Sequence, residues 1–301
     1  MREPIRRRYR GLPKAPVSTA PDASPSGGEV RADLKRPATE FVERVGTWAR
    51  ATPPDPPAQV TNAGYPRELA ATAGPLFDRP SPRAITEVVY PQLGGLTPTT
   101  ASVIVVARQT LPGAPAAGAR EVTLDVRLRY VGRSWVVSPV VDPPRPESVR
   151  ARTGGPSTEG RSLLASARAD LPGPVRHDVE TRRLGDRVIG MVRALARGYE
   201  IELQVAVSGH PGTVFPSTRL SNHAVGRAVD VRSINGTRVA DIRRDDPLLV
   251  RFMVDAARAG ATEVGGPIVP PGRGFFTDEV HQDHIHVGFT PGKPAAAASS
   301  S

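Results

Sequence analysis

The chain has 301 residues, a formal net charge of +10, 33 Pro, 29 Gly and no Cys, enough for two modest domains or one domain with extended flanks. The lack of cysteine excludes thiolate metal ligands, disulfides and a cysteine nucleophile, and no apolar run approaches the ~18–20 residues that a membrane helix needs. The charge suggests nucleic acid, but its distribution argues against that partner: residues 180–290 carry 14 Arg against 13 acidic residues.

Arginine supplies nearly all the basic charge, since the only lysines are Lys14, Lys35 and Lys293. Arg, Ala, Gly and Pro are also the residues of GC-rich codons. Part of the surplus sits in the run Arg6-Arg7-Arg8-Tyr9-Arg10, and the rest is spread over residues 31–183. A short basic arm of this kind can touch phosphates, lipid headgroups or anionic wall polymer with little selectivity. No hydrophobic segment follows the basic start, so no signal peptide is expected in the sequence as it stands.

Residues 1–37 are rich in Pro, Ser, Gly and charge, and are expected to form a disordered arm. Phe41, Val42, Val45 and Trp48 then recur at helical spacing, which predicts a helix over Ala38–Arg50. The segment Ala51-Thr52-Pro53-Pro54-Asp55-Pro56-Pro57 should break it, because proline lacks the amide donor. Ile85–Tyr90, Ala101–Arg108, Val122–Tyr130 and Ser134–Val141 are rich in Val, Ile and Thr and read as strands, the last two joined by the turn Val131-Gly132-Arg133. A helix followed by antiparallel strands predicts a small α+β domain over 38–145. In outline it resembles the NTF2-like group. It offers no charged constellation, so a spacer or interaction role is the expectation.

Residues 146–175 read as a Pro/Gly/Ser/Arg-rich linker, with a short helix at Leu163–Leu171. Proteolysis there should release a self-contained fragment from about residue 175 to 290. The second domain, 176–290, is expected to be α+β as well, with a small antiparallel sheet and flanking helices. Asp186–Arg197 is an amphipathic helix ended by Gly198, Ile201–Val207 a strand, and Asp246–Ala259 a helix opened by Asp245 or Asp246 and ended by Gly260. Residues 291–301 should form a disordered tail.

Five of the six histidines lie between residues 210 and 286. Four of these sit in two segments, Ser221-Asn222-His223-Ala224-Val225-Gly226-Arg227-Ala228-Val229-Asp230 and His281-Gln282-Asp283-His284-Ile285-His286. Zinc without thiols takes two or three imidazoles plus a carboxylate, and a catalytic zinc keeps one position open. If Arg227–Arg232 is a strand, Val229 and Val231 face the core and Asp230 the opposite side. In the last strand Ile285, Val287 and Phe289 alternate with His284, His286 and Gly288, so the two histidines point away from the core. Residues 281–283 then belong to the entering loop.

The two segments fit S-x-H-x-x-G-x-A-x-D and, together, H-x-D-x-x-H and H-x-x-H-x-H. In this order they resemble the M15-type zinc peptidases: D-alanyl-D-alanine carboxypeptidases and dipeptidases, phage endolysins and, more distantly, murein endopeptidases and the Hedgehog signalling domain. The resemblance covers roughly residues 180–290. It implies zinc held by His223, Asp230 and His286, with Asp283 as general base and His281 stabilising the polarised carbonyl. His284 matches an active-site histidine of the murein endopeptidase branch, although for His284 and His210 a structural role is equally open. Many relatives carry an arginine that grips the substrate carboxylate on the strand before the first motif. Here that stretch reads Ser208-Gly209-His210-Pro211-Gly212, and Arg219 is the nearest substitute. Ser221 is read as holding the turn or a ligand, not as a nucleophile.

The implied activity is hydrolysis of amide bonds in peptidoglycan stem peptides or cross-links, placing the protein at the cell envelope or outside it. Two other readings stand beside it: a non-catalytic zinc-bearing binding module on the same scaffold, and an envelope or conjugation assembly component.

Overall fold

The computed structural model describes residues 29–112, 118–139 and 150–298. The basic run Arg6–Arg10, the end of the strand expected to reach Val141, residues 146–149 of the expected linker and the last three residues lie outside these ranges.

Helix α1 (Ala32–Gly46) forms because Leu34, Ala38, Phe41, Val42 and Val45 fall on one face, and all are fully buried. It starts six residues before the expected Ala38, so residues 32–37 are helix and not arm. Leu34 extends the apolar face, and Pro37 sits early enough to cost only one helical hydrogen bond. The first helix ends at Gly46, short of the expected Arg50, because Thr47 is extended and leads into strand β1 (Trp48–Ala49); the proline-rich segment therefore does not end that helix but opens the next. In α2 (Pro56–Asn62) the Asp55 carboxylate accepts from the Ala58 amide at 3.0 Å, and Pro56 lies in the first turn, where a missing N–H is harmless.

Strands β2 (Arg83–Leu96), β3 (Thr100–Thr110), β4 (Ala119–Val131) and β5 (Ser134–Val137) form an antiparallel meander ordered β1-β2-β3-β4-β5. Ala101, Val103, Val105 and Ala107 on one face of β3 join the core beneath α1. The opposite face carries Ser102, Ile104 and Val106, equally buried. A sheet in a free-standing small domain would leave that face wet. Here the second unit covers it: Gln204 donates to the carbonyls of Tyr90 at 2.9 Å and Ile104 at 3.2 Å.

The second unit begins earlier than the expected residue 176. Helix α3 (Thr158–Leu164), capped by the Ser157 hydroxyl at 3.1 Å from the Gly160 amide, and strand β6 (Ala169–Asp170) occupy the expected linker. Leu163, Ala169 and Leu171 belong to the core that α4 (Gly173–Glu180) and α5 (Asp186–Ala196) share. A fragment starting at 175 would therefore lose part of its own core. Strands β7 (Ile201–Val205), β8 (Ala228–Ile234) and β9 (Thr237–Arg238) follow, then α6 (Pro247–Arg258), whose cap is Asp246. Strands β10 (Glu263–Gly265), β11 (Gly272–Arg273), β12 (Phe275–Phe276), β13 (Ile285–Gly288) and β14 (Ala297–Ala298) complete the chain. The main sheet runs β12-β10-β13-β8-β7-β6, with β9 beside β8. Residues 291–298, expected as disordered tail, return to the fold: β14 pairs with β11 and Ala296 is buried.

The protein is thus mixed α+β. Helices α5 and α6 cover one face of the second sheet, and its other face looks toward β2 and β3. No helix among the described residues is long and apolar enough to cross a membrane.

Candidate metal centre

Strands β8 and β13 pair antiparallel with His286 opposite Asp230, Ile285 opposite Val231 and Val287 opposite Val229. The apolar residues enter the core, so Asp230 and His286 stand side by side on the face toward the first unit. His223 arrives from a single 3-10 turn, His223–Val225, closed by Gly226 at φ 69°. A Cβ on Gly226 would lie 2.0 Å from the Arg183 carbonyl oxygen. Gly226→Ala is therefore expected to destabilise the fold by at least about 1–3 kcal/mol, the usual cost of a left-handed non-glycine residue, and to displace His223. Thermal denaturation together with metal content checks both.

Three donor atoms form a tight triangle. His223 Nε2 lies 3.0 Å from His286 Nδ1 and 3.2 Å from Asp230 Oδ1, and His286 Nδ1 lies 3.1 Å from Asp230 Oδ1. Ligand atoms about 2.0–2.1 Å from a tetrahedral ion stand roughly 3.3 Å apart, so the spacing is of the size that a small tetrahedral ion would need. The other atom of each ligand is tied down. His223 Nδ1 lies 2.8 Å from the Ala206 carbonyl, His286 Nε2 lies 3.2 Å from Glu263 Oε1, and Gln92 donates to Asp230 Oδ2 at 2.6 Å. Such outer contacts fix tautomer and ring orientation.

His210, His223 and Asp230 also form a group that could hold a metal ion, their ligand atoms all within 4.8 Å of one another. His210 stacks on His223 with centroids 3.8 Å apart and planes 9° apart, and its Nδ1 meets the Pro211 carbonyl at 2.8 Å. On these distances His286 makes the tighter triangle with His223 and Asp230, and His210 flanks it.

The electrostatics follow from burial opposed by pairing. Burial pushes the Asp230 carboxyl up, but His223, His284 and His286 outweigh it and hold it well below the usual range. Burial lowers His286, yet its hydrogen bonds to Asp230 and Glu263 raise it to about 9. Glu263 is brought down to about 2 against its own burial by His286, with help from Thr290 and Asn222. Burial and the neighbouring His223 keep His210 well below its ordinary value.

Asp283 occupies a different place from the one expected of a base facing the metal. It is fully buried and does not line the cavity. Its Oδ1 meets His284 Nδ1 at 2.7 Å, while its Oδ2 accepts from the Leu93 amide at 2.9 Å and pairs with Lys35 Nζ at 2.6 Å. With both oxygens engaged it orients His284. His284 does line the cavity, and its Nε2 lies 3.8 Å from Asp230 Oδ2. His281 lines the cavity too, its Nδ1 held by Asp278 at 2.7 Å and its ring 5.0 Å from that of His284.

The cavity, about 640 Å³, opens between the two units, with Gln92, Gly94 and Gly95 on one wall and the histidines on the other. Arg219 lines it and is exposed. Ser221 is buried and its Oγ accepts from the His223 amide at 3.2 Å, so it holds the turn. In the stretch Ser208–Gly212, the buried Asp178 accepts from the Ser208 amide at 2.7 Å and from its hydroxyl at 2.7 Å.

Glu263, Gln92 and Lys35 escaped the sequence reading. Lys35 had a local signal, a charged residue on the apolar stripe of α1. Gln92 and Glu263 had none, since each is a lone polar residue in a strand, and the residue it meets is distant in sequence.

Comparison with protein-family models, with curated proteins and with solved structures gave no match.

Proposed function

We propose that the chain is a zinc-dependent peptidase of the M15 type, acting on amide bonds of peptidoglycan stem peptides or cross-links at the cell envelope. The observation that carries this reading is the triangle of His223, Asp230 and His286, each ligand tied from behind and the whole opening on a cavity. A bound zinc would polarise the substrate carbonyl and acidify a water. His284 is the base in this reading. Its Nδ1 is committed to Asp283, which leaves Nε2 to take a proton in the cavity and return it to the leaving amine. Asp283 acts through His284 as a positioning residue. His281 supplies a second imidazole on the same wall, suited to the substrate carbonyl. Arg219, with Arg273 and Lys293 also lining the cavity and exposed, offers cationic partners for a stem-peptide carboxylate. The likeness of the first unit to an NTF2-like outline rests only on a helix beside an antiparallel meander.

Purified protein is expected to hold about one zinc per chain, and affinity should fall with pH as the imidazoles take up protons. Full occupancy in a triple alanine variant of His223, Asp230 and His286 would refute the ligand assignment. Glu263→Ala should weaken zinc binding by about 10–100-fold, the usual effect of removing a ligand's outer partner, as measured by competition with a chromophoric chelator.

One observation favours a second reading, the non-catalytic zinc module. His210 stands close enough to become a fourth protein ligand, which would close the coordination sphere. His210→Ala separates the two: an open catalytic site keeps its zinc, whereas a closed structural site loses affinity sharply.

A further inference from the structure

We infer that Gln92, on strand β2 of the first unit, is a positioning residue for the metal ligand Asp230, so that the metal centre is assembled from both halves of the chain. The inference rests on the metal reading above and adds a residue outside the segment that resembles the peptidases.

Asp230 is 2% exposed and Gln92 is fully buried, so water is a poor substitute for a protein donor at the carboxylate. Oδ1 faces the two imidazoles. Oδ2 receives the Gln92 amide at 2.6 Å, and the next nitrogen, His284 Nε2, lies at 3.8 Å, beyond hydrogen-bond reach. Holding Oδ2 in this way leaves Oδ1 as the coordinating atom and fixes the carboxylate rotamer. The donor is neutral. A lysine or arginine there would offset the charge that makes the carboxylate a good ligand, whereas an amide orients it and leaves the charge in place. The amide orientation is determined as well, since flipping Gln92 would set two acceptor oxygens 2.6 Å apart.

The backbone places Gln92 for this task. It pairs with Ile104 of β3 between two irregularities of register, at Val88/Tyr90 and Leu93/Gly95. The next residue sends its amide out of the ladder to Asp283 Oδ2 at 2.9 Å. Two consecutive residues of β2 therefore reach two carboxylates of the other unit, one a metal ligand and one the support of His284. Gln92 Oε1 has no hydrogen-bond partner among the described residues, although Gln92 lines the cavity.

The test uses the full chain, loaded with zinc or with cobalt(II) as a spectroscopic stand-in. Gln92→Met removes the donor at similar volume. It is expected to weaken zinc binding by about 10–100-fold and to alter the cobalt d–d absorption, with circular dichroism confirming the fold. Gln204→Met is the control, because Gln204 is a buried glutamine of the same interface that bonds only to the Tyr90 and Ile104 carbonyls. It should lower thermal stability and leave metal affinity and the cobalt spectrum unchanged. If Gln92→Met fails to fold, Gln92→Asn, one methylene short of Asp230, should show the same direction of effect. Unchanged affinity and spectrum in a folded Gln92 variant would overturn the inference, as would an equal loss in Gln204→Met. A wild-type chain that binds neither ion would instead overturn the metal reading itself.

Discussion

Replacing His284 by alanine is expected to leave zinc in place and to lower turnover by about 10²–10⁴-fold, the usual worth of a general acid–base group. His284 lies outside the donor triangle, so the ligands and their supporting bonds to Ala206, Glu263 and Gln92 survive the change. What disappears is the one cavity-lining imidazole whose far nitrogen is fixed by a buried carboxylate. Steady-state assays with parallel metal analysis separate the two roles. If His284→Ala keeps near-normal turnover while Asp283→Ala is inactive with metal bound, the base is Asp283. The Lys35 and Leu93 contacts would then have to open during catalysis.

Lys35→Met should destabilise the protein by about 3–5 kcal/mol at pH 7, the typical cost of removing one partner of a buried ion pair. Lys35 is fully buried, its ammonium 2.6 Å from Asp283 Oδ2, paired also with Glu29 and 4.8 Å from the centre of the Tyr90 ring. Burial pushes the Asp283 carboxyl up, but Lys35 and His284 more than compensate, and the net position is below the ordinary carboxylate value. A carboxyl lowered by folding contributes stability above its unfolded pKa of about 3.9, and that contribution is lost as pH falls through the folded value. Removing Lys35 reverses the balance, since Asp283 keeps its burial and loses its counter-charge. The deficit should therefore be largest at pH 7 and shrink toward pH 4–5, where the orphaned carboxyl can take up a proton. Urea unfolding of wild type and variant at the two pH values measures this. Equal stability at pH 7 would mean that the pair contributes nothing to joining the units.

The parts of the site that local pattern encodes were legible in the sequence. Alternation along 228–231 and 285–289 set Asp230 and His286 on the face away from the core, and the pairing of β8 with β13 brings them level. The existence of the first unit's strands was legible for the same reason, because Val, Ile and Thr cluster there, but not their ends: β2 runs on past Tyr90 to Leu96, and β5 stops at Val137. Non-local relations were not. Nothing in Tyr90-Pro91-Gln92-Leu93 announces that Gln92 will meet Asp230, 138 residues later. The role expected for Asp283 is one that the resemblance implies, and a local motif cannot show that Lys35 and a backbone amide claim its second oxygen. Pro, Gly, Ser and Arg in 146–175 mask Leu163, Ala169 and Leu171, three small apolar contributions that matter only once α5 is packed beside them. The same blindness made the two units look separable, although the buried outer face of β3 ties them together.

The central claim is that this site cuts peptides with the help of zinc, and digestion of cross-linked muropeptides tests it most directly. The full chain, loaded with zinc, is incubated with the substrate and the products are identified by mass spectrometry, alongside His223→Ala and a chelator-treated sample. The expected result is a pair of products whose masses sum to the substrate plus one water, absent from both controls. A protein that binds zinc at His223, Asp230 and His286 yet leaves every stem-peptide and cross-link amide intact would contradict the claim. It would point instead to a metal that serves binding or structure.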